Sequence, residues 1–369
     1  MSIDRASQDS VSQDSVSQDS VSQPWERPLR LGVIGCGRIA QVAHLPALAK
    51  ADTIALSGVS DRSPSLAKGV GARYGVPSFT DVSDLLAQDI EAVLIAVPDR
   101  LHLPVGTEAL SAGKHVLMEK PAASTSEQAA ELARLAADRG LKLQIGAMRR
   151  HDPGINYART AVAELGPVLS VSCWYRVHSR FRPPTEQTLF PFLVVDEDVR
   201  RHEAEFKADR QRYLLATHGA HVFDTLRYLA GDVAAVQARV AHVGPDYSWH
   251  GSGQLASGGL TSFEISANVH SDYSEGFEIY GERGHVSIQS YFPFFRRASS
   301  VRVFSEEDGI WRSPEFGASD SYQRQAEAFA EAVRTGAATD PSGEDGVQAL
   351  RLIEAVTSSA AQSGAEVTP

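Results

Sequence analysis

The stretch Leu31-Gly32-Val33-Ile34-Gly35-Cys36-Gly37-Arg38-Ile39-Ala40 decides the fold of this chain. It is a short apolar run followed by the spacing Gly-x-Gly-x-x-Ala. Gly35 permits a tight turn, Gly37 lets the backbone approach a diphosphate, and Ala40 is small enough for a helix beginning near Arg38 to lie on the strand. The first amides of such a helix attract phosphate groups. The pattern therefore predicts a dinucleotide-binding strand, turn and helix.

An acidic residue at the end of the next apolar run supports this interpretation. Asp61 follows the run 54–60 and stands 21 residues after Ala40. A carboxylate at this position accepts hydrogen bonds from the ribose hydroxyls of NAD. It would repel the 2′-phosphate of NADP, whereas the neighbouring Arg62 and Ser63 are of the kind that accommodate it. We therefore predict NAD as the cofactor and keep NADP as the alternative.

Length and composition indicate a soluble protein of two domains. The chain has 369 residues, more than one hydrophobic core usually holds, with 43% hydrophobic and 22% charged residues. The net charge of −11 and the sequence pI of about 5.6 argue against nucleic acid or an anionic membrane as partner. Two cysteines, Cys36 and Cys173, make a disulfide framework improbable, and no apolar stretch is long enough to span a bilayer. These features predict a cytoplasmic location.

The chain divides into a tail and two domains. We expect residues 1–29 to be a disordered tail, because the repeated Ser-Gln-Asp-Ser-Val offers little apolar area to bury. A docking or targeting peptide is the alternative. Residues 30–150 alternate short apolar runs with helical segments and predict a Rossmann domain with a doubly wound parallel sheet. The predicted strands are 30–34, 53–60, 91–97, 115–118 and 141–146, and the predicted helices are 38–49, 64–74, 81–87, 101–112 and 125–139.

Residues 151–369 predict an α+β domain with an open, mostly antiparallel sheet. The predicted strands are 168–178, 233–243, 259–269, 274–280, 284–289 and 300–304. The predicted helices lie near 153–164, 197–206, 216–230, 320–335 and 343–362. The segment 179–215 has few periodic apolar positions, and we interpret it as a long loop or lid, with a poorly ordered insertion as the alternative.

Two further motifs end strands of the first sheet. Val97-Pro98 closes one strand and precedes a helix that begins near His102. The run Gly113-Lys114-His115-Val116-Leu117-Met118 delivers Glu119-Lys120-Pro121 at its carboxyl end, where ligands bind in sheets of this type. An ammonium at this place could stabilise a developing alkoxide, although a lysine at a strand end is by itself more often a surface residue.

Taken together, these three motifs resemble the Gfo/Idh/MocA family of oxidoreductases, over the chain from about Arg30 to its end. The stretch from Ala112 to Pro121 is the most specific element of the resemblance. It implies an NAD(P)-dependent oxidoreductase of sugars, polyols or their derivatives, with a Rossmann domain and an open-faced sheet domain. It also implies that Lys120 lies beside the nicotinamide and the reacting carbinol, and that the chain forms homodimers or homotetramers through the open sheet.

The family also carries an aspartate four residues before a histidine at the start of a long helix. Here His221 matches the histidine and Asp224 matches a common acid one turn later, but Thr217 stands where the family usually has aspartate. This departure puts in doubt the separate roles that the aspartate and the histidine usually have in the family, and His218 is a candidate for the missing polar group. We predict that His221 takes the proton of the reacting hydroxyl, since imidazole titrates near neutrality. A structural histidine in the domain interface is the alternative.

The predicted site can be stated residue by residue. The candidate catalytic residues are Lys120, His221, His218 and Thr217. The candidate cofactor-binding residues are Gly35, Gly37, Arg38, Ile39, Ala40, Asp61, Arg62, Val97, Pro98, His102, Glu119 and Lys120. The candidate substrate-binding residues are Arg149, Arg176, Arg180, Tyr213 and His221; arginine forks suit anionic groups, although a hinge or a solvated charged face would look the same in sequence. No cluster has metal-ligand spacing, so no metal is predicted.

These inferences predict an enzyme that oxidises a secondary hydroxyl of a sugar, glycoside or polyol by hydride transfer to NAD. Two alternatives are enzymes as well: NADPH-dependent reduction of a keto sugar, and oxidation that initiates cleavage of a glycoside. A third alternative is a non-catalytic dinucleotide-sensing regulator, which would need neither Lys120 nor His221.

Overall fold

A six-stranded parallel sheet forms from the first part of the chain. Its strands are β1 (Leu29–Ile34), β2 (Ile54–Ser60), β3 (Ser78–Phe79), β4 (Ala92–Ile95), β5 (His115–Met118) and β6 (Leu143–Ile145). Their order is β3-β2-β1-β4-β5-β6, and all neighbouring pairs are parallel. This confirms the predicted doubly wound sheet; only the two-residue strand β3 was not predicted. The strand order reverses between β1 and β4, which is where such sheets bind ligands.

Helices cross over between these strands. They are α1 (Leu45–Leu48), α2 (Pro64–Tyr74), α3 (Val82–Leu86), α4 (His102–Ser111) and α5 (Ser126–Asp138), with a π-helical turn at Ala40–His44. Local chemistry explains where they begin: the Ser63 hydroxyl accepts from the amide of Leu66 at the start of α2, and the Thr125 hydroxyl accepts from the amide of Gln128 at the start of α5. The predicted bounds of these two helices, 64–74 and 125–139, lie within one residue of the observed ones.

An eight-stranded sheet forms the second layer of the molecule. Its strands are β7 (Val168–Val177), β8 (Val233–Val243), β9 (Asp246–Leu255), β10 (Leu260–Ala267), β11 (Ser274–Gly281), β12 (Gly284–Ser290), β13 (Ser300–Ser305) and β14 (Ile310–Arg312). The order is β14-β13-β12-β11-β7-β10-β9-β8, and only the central pair β7 and β10 is parallel. The predicted mostly antiparallel sheet is confirmed, while β9 and β14 were missed.

The helices of the second part are α6 (Pro153–Glu164), α7 (Glu197–Phe206), α8 (Arg210–Ala230), α9 (Ser321–Thr335) and α10 (Gly343–Ala361). Helix α8 begins at Arg210 and not at the predicted 216, because the Asp209 side chain accepts from the amide of Arg212 and caps it. Helix α7 confirms the helix predicted near 197–206, whereas residues 210–215, expected to belong to a long loop, form the start of α8. This computed structural model describes residues 27–178, 188–270 and 272–369, so the predicted tail and residues 179–187 lie almost entirely outside it.

The C-terminal helices connect the two sheets. Helix α9 buries Phe329 and Ala330 in the core beneath β1, and α10 packs against α5, α8 and β8. The amide and hydroxyl of Ser126 both donate to the carboxylate of Glu354 on α10, at 2.7 and 2.6 Å. The last part of the chain therefore holds the parallel sheet against the antiparallel one. Among the described residues, no helix has the length and apolar character needed to cross a membrane.

Candidate active site

The glycine turn after β1 has two glycines with different roles. Gly35 has φ +96°, and a Cβ built there would lie 2.5 Å from the carbonyl oxygen of Ala96. Only glycine fits this close approach to the end of β4. A Cβ on Gly37 would meet no atom within 4 Å, so open space faces the turn at this position. Ala40 is fully buried against the sheet. The turn thus has the backbone cradle that a diphosphate requires.

Asp61 ties the end of β2 to this turn. One carboxylate oxygen accepts from the amide of Cys36 and the other from the amide of Ser63, both at 2.8 Å. Burial raises the pKa of the Asp61 carboxyl above its ordinary value, although both amides oppose the change. Asp61 and the glycine turn share one cleft, together with the predicted residues at the end of β4. This cleft is lined by, among others, Gly35, Gly37, Asp61, Arg62, Val97 and Pro98.

His102 has a different position from the one predicted. It is 1% exposed, and its two ring nitrogens contact the carbonyl oxygens of Val97 and Pro121 at 2.9 and 2.8 Å. Burial lowers its pKa. The imidazole therefore joins the loops that follow β4 and β5 and is shielded from the cleft, so the expectation that it contacts the cofactor is corrected.

Glu119 forms a buried pair that the sequence analysis missed. Its carboxylate accepts from Nε2 of His44 at 2.6 Å and from the amide of Lys120 at 2.9 Å. Burial alone would raise the pKa of Glu119, but the hydrogen bond from His44 and the charge of Lys120 lower it. Because His44 follows the glycine turn, this pair connects the first helical segment to the Glu119-Lys120-Pro121 loop.

Lys120 extends from this loop to helix α8. Its ammonium donates to the backbone carbonyl of Thr217 at 3.1 Å. Thr217 thus contributes its carbonyl oxygen, which any residue type could supply. The next residue on this helix face is His221, one turn further along α8. The structure therefore brings together the loop after β5 and the helix turn that carries the predicted histidine.

The two histidines of α8 pack on one aromatic ring from the second sheet. The ring of Tyr175, on β7, stacks on His218 at 5.2 Å and on His221 at 5.7 Å between centroids. His218 is buried, whereas His221 is half-buried. Tyr273 meets Tyr175 edge-on at 5.5 Å. Tyr175 was not a predicted site residue, since its approach to α8 depends on how the sheet packs.

Arg149 is hydrogen-bonded to Tyr273, the residue whose ring contacts Tyr175. Its guanidinium donates to the hydroxyl of Tyr273 at 2.9 Å, to the carbonyl of Tyr291 at 2.7 Å and to the carboxylate of Glu275. Burial would lower the pKa of Arg149, but the charge of Glu275 outweighs it and raises the pKa. With 3% of its surface exposed, Arg149 is a buried structural residue. The expectation that it contacts substrate is therefore corrected.

The other predicted substrate-binding residues do not lie together. Arg176 follows Tyr175 on β7 and so points to the opposite face of the sheet, where it pairs with Glu264. This is the open face that the resemblance predicts to join copies of the chain, and it is not the face that meets α8. Tyr213 lies four residues before Thr217 and shares its helix face, half-buried beside Lys207. Arg180 lies outside the described residues.

Asp224 is hydrogen-bonded to Arg150. Both its oxygens accept from the guanidinium of Arg150, at 2.9 and 2.7 Å, and the same guanidinium reaches Asp340 and Asp345. This buried cluster fixes α8 to the turn after β6 and to the start of α10. Asp224 is therefore placed to hold the helix that carries His221.

A segment from the second half of the chain packs beside the glycine turn. Gln41 exchanges two hydrogen bonds with the backbone of Val194, at 2.9 and 2.8 Å. Arg38 and Gly37 line a cavity together with this segment, which includes Val194 and Asp196. No sequence pattern signalled these contacts, which are 153 residues apart along the chain. Across the described ranges, no group of three or more His, Cys, Asp or Glu side chains could hold a metal ion.

Two family models match the chain over most of its length. The model of the oxidoreductase family with an NAD-binding Rossmann fold matches residues 29–147, and that of the C-terminal alpha/beta domain of the same family matches residues 210–368. The chain belongs to the Gfo/Idh/MocA oxidoreductase family. The resemblance inferred from the three motifs is thereby confirmed.

Relatives within the Gfo/Idh/MocA family act on cyclic polyols and sugars. Inositol 2-dehydrogenase of Rhizobium meliloti (strain 1021) is 27% identical over 348 residues, which cover 90% of this chain and 97% of that protein. The dTDP-3,4-didehydro-2,6-dideoxy-alpha-D-glucose 3-reductase of Saccharopolyspora spinosa is 26% identical, covering 89% and 97%. Levoglucosan dehydrogenase in complex with NADH has the same fold, with a TM-score of 0.77 and 22% identity over 92% of this chain and 99% of that one.

Proposed function

We propose that the protein is an NAD-dependent dehydrogenase that oxidises a secondary hydroxyl of a sugar, glycoside or polyol. The contact between Lys120 and the His221-bearing turn of α8 is the observation that carries this proposal. It brings an ammonium to the helix turn that carries an imidazole, and the neighbouring Glu119 is hydrogen-bonded to His44 in the segment after the glycine turn. The inositol 2-dehydrogenases among the relatives support a cyclic polyol or sugar as the substrate class.

In this proposal Lys120 and His221 have different roles in the reaction. The ammonium of Lys120 donates to the carbonyl of Thr217, and its further role in this proposal is to donate to the oxygen of a reacting carbinol. This stabilises the oxygen as its negative charge develops. His221, half-buried and stacked on Tyr175, accepts the hydroxyl proton. A nicotinamide, when bound, supplies the hydride acceptor.

The proposal predicts reduction of NAD by substrates of this class. The experiment is a screen of sugars, anionic sugars, cyclic polyols and glycosides, with the absorbance of reduced nicotinamide as the readout. A substrate that turns over supports the proposal. Tight NAD binding without turnover of any compound would instead support the dinucleotide-sensing alternative.

Lys120→Met tests the assigned chemistry. We expect kcat to fall by about 10³-fold while NAD binding is retained, because the lost group acts on the reacting oxygen. Lys114→Met is the matched control: its ammonium donates to the carbonyl of Ile90 at 2.8 Å, at the opposite end of the same strand. Wild-type turnover in Lys120→Met would remove the role given to this lysine.

Reduction of a keto sugar is the second candidate, since one relative is a 3-reductase of a dTDP-linked keto sugar. Hydride transfer is reversible and uses the same two side chains in the opposite direction. The same enzyme preparation should therefore be assayed with reduced dinucleotide and a panel of keto sugars. A kcat/KM for reduction that exceeds the one for oxidation would favour this direction.

A further inference from the structure

A carboxylate from a distant part of the chain lies beside the residues that distinguish NAD from NADP. The segment 190–196 crosses the first domain next to α2: Arg73 donates to the carbonyl of Phe192 at 3.0 Å, and a Cβ on Gly69 would meet the side chain of Val194 at 2.8 Å. These contacts end at Asp196, immediately before helix α7. The crossing segment, residues 190–196, therefore delivers Asp196 to the loop after β2.

Asp196 binds Ser63 of that loop and Ser65 in the first turn of α2. One of its oxygens accepts from the hydroxyl of Ser63 at 2.5 Å and from that of Ser65 at 2.8 Å. Its other oxygen accepts from the amides of Asp198 and Val199 and caps α7. The hydrogen bond from Ser63 is the main reason that the pKa of Asp196 is lowered to about 2. Asp196 is therefore an anion at every physiological pH.

Two carboxylates therefore meet at the loop after β2. Asp61 accepts from the amide of Ser63, and the hydroxyl of the same Ser63 donates to Asp196, so one residue connects both anions. Serine hydroxyls and an arginine in this loop are the donors that a 2′-phosphate would use. Here both hydroxyls donate to Asp196, and Arg62 lines the same cleft as Asp61.

We propose that Asp196 is a specificity-determining residue that excludes the 2′-phosphate of NADP from this cleft. It acts by charge repulsion and by engaging the hydroxyls of Ser63 and Ser65. The inference rests on the proposed function in one respect, that the cleft of Gly35 and Asp61 binds a nicotinamide dinucleotide. Asp61 was predicted to repel the 2′-phosphate by itself. Asp196 is a second anion with the same effect, and it comes from a distant part of the sequence.

Asp196→Asn tests this exclusion by direct binding. Asparagine keeps one acceptor oxygen that can still cap α7, while its amide nitrogen can donate to the serine oxygens, so the crossing segment stays anchored while the charge is removed and both serine hydroxyls are released. NADH and NADPH are titrated separately, with the fluorescence of the reduced nicotinamide as readout, so no sugar substrate is required. We expect the Kd for NADPH to fall about tenfold and the Kd for NADH to change by less than about twofold, as removal of one nearby like charge implies.

Glu197→Gln is the matched control. It removes the same charge from the neighbouring residue, whose carboxylate pairs with Arg200 on the surface of α7. We expect no change in the ratio of the two Kd values. In the wild type the preference for NADH should also weaken as salt is added, since exposed charges are screened.

The outcomes separate the two proposals. If NADH and NADPH affinities change together in Asp196→Asn, or not at all, Asp196 only anchors the crossing segment and the specificity role is wrong. If the wild type binds neither dinucleotide, the proposed function itself fails. A selective gain for NADPH in Asp196→Asn, absent from Glu197→Gln, supports the inference.

Discussion

At the residue scale, the two glycines of the first turn are needed for different reasons, one for folding and the other for binding a cofactor. Gly35 is required by the protein itself, because of its positive φ and the nearby carbonyl of Ala96. Gly37 faces open space, so it is required only by whatever occupies that space. The two positions look alike in the motif, and only the backbone geometry tells them apart.

This difference predicts opposite results for two alanine variants. Gly37→Ala should unfold like the wild type but bind NAD at least about tenfold more weakly, because the added methyl group occupies the space of the diphosphate. Gly35→Ala should lose about 2 kcal/mol or more of folding stability from the left-handed backbone and the clash. Chemical denaturation and NADH fluorescence titration measure the two effects. Equal loss of stability in both variants would contradict this assignment.

The residues that motifs predict and those they miss differ in their physical origin. Gly35, Asp61 and Lys120 stand at strand ends, so the order of elements alone brings them to one edge of the sheet. Tyr175 and His44 reach the site through packing between distant elements, for which no local pattern exists. Arg149 was misjudged because a guanidinium that binds an anion and one buried against Glu275 look the same in sequence.

At the element scale, helix α8 depends on a buried ion cluster for its position. Arg150 contacts Asp224 on α8, Asp345 on α10 and Asp340 before it, and its guanidinium also lies 4.8 Å above the ring of Tyr228. Because α8 carries His221 and the Thr217 carbonyl that accepts from Lys120, this cluster positions the helix turn that meets the loop after β5. In a cluster of this kind, the removal of one member is destabilising because it leaves a buried charge without its partner.

Arg150→Ala should therefore destabilise the fold by about 3–5 kcal/mol, since Asp224 would be left buried without its partner. Arg159→Ala is the control: its guanidinium is half-exposed and lies 3.8 Å from Asp340, so we expect a loss below about 1 kcal/mol. Urea denaturation followed by circular dichroism gives both values. A loss below 1 kcal/mol in Arg150→Ala would show that the cluster does not hold α8.

The missed strand β9 shows why sequence patterns fail at this scale. Its sequence Asp246-Tyr247-Ser248-Trp249-His250-Gly251-Ser252-Gly253-Gln254-Leu255 has two glycines and no β-branched residue. A Cβ on Gly251 would lie 2.2 Å from the ring of Phe263 on β10, so the neighbouring ring occupies the space of the absent side chain. The strand is thus stabilised by its partners and not by its own propensity.

At the scale of the whole molecule, histidines with lowered pKa values couple folding stability to pH. His151 lies in the turn between β6 and α6, and its Nε2 is buried with no hydrogen-bond partner among the described residues. Burial lowers its pKa from an ordinary 6.5 to about 4. Burial also lowers the pKa values of His102 and His115. The native state therefore holds these imidazoles neutral where the unfolded chain would protonate them.

The sign of the effect follows from proton binding. Between pH 6.5 and about 4 the unfolded chain binds a proton at His151 that the native state does not, so acidification favours unfolding. We expect His151 alone to lower the free energy of unfolding by up to about 3 kcal/mol across this window. Urea denaturation at pH 7 and pH 4.5 measures the change, and His151→Gln, which cannot titrate, should reduce it. A pH dependence that is identical in wild type and variant would show that His151 is protonated in the native state as readily as in the unfolded chain.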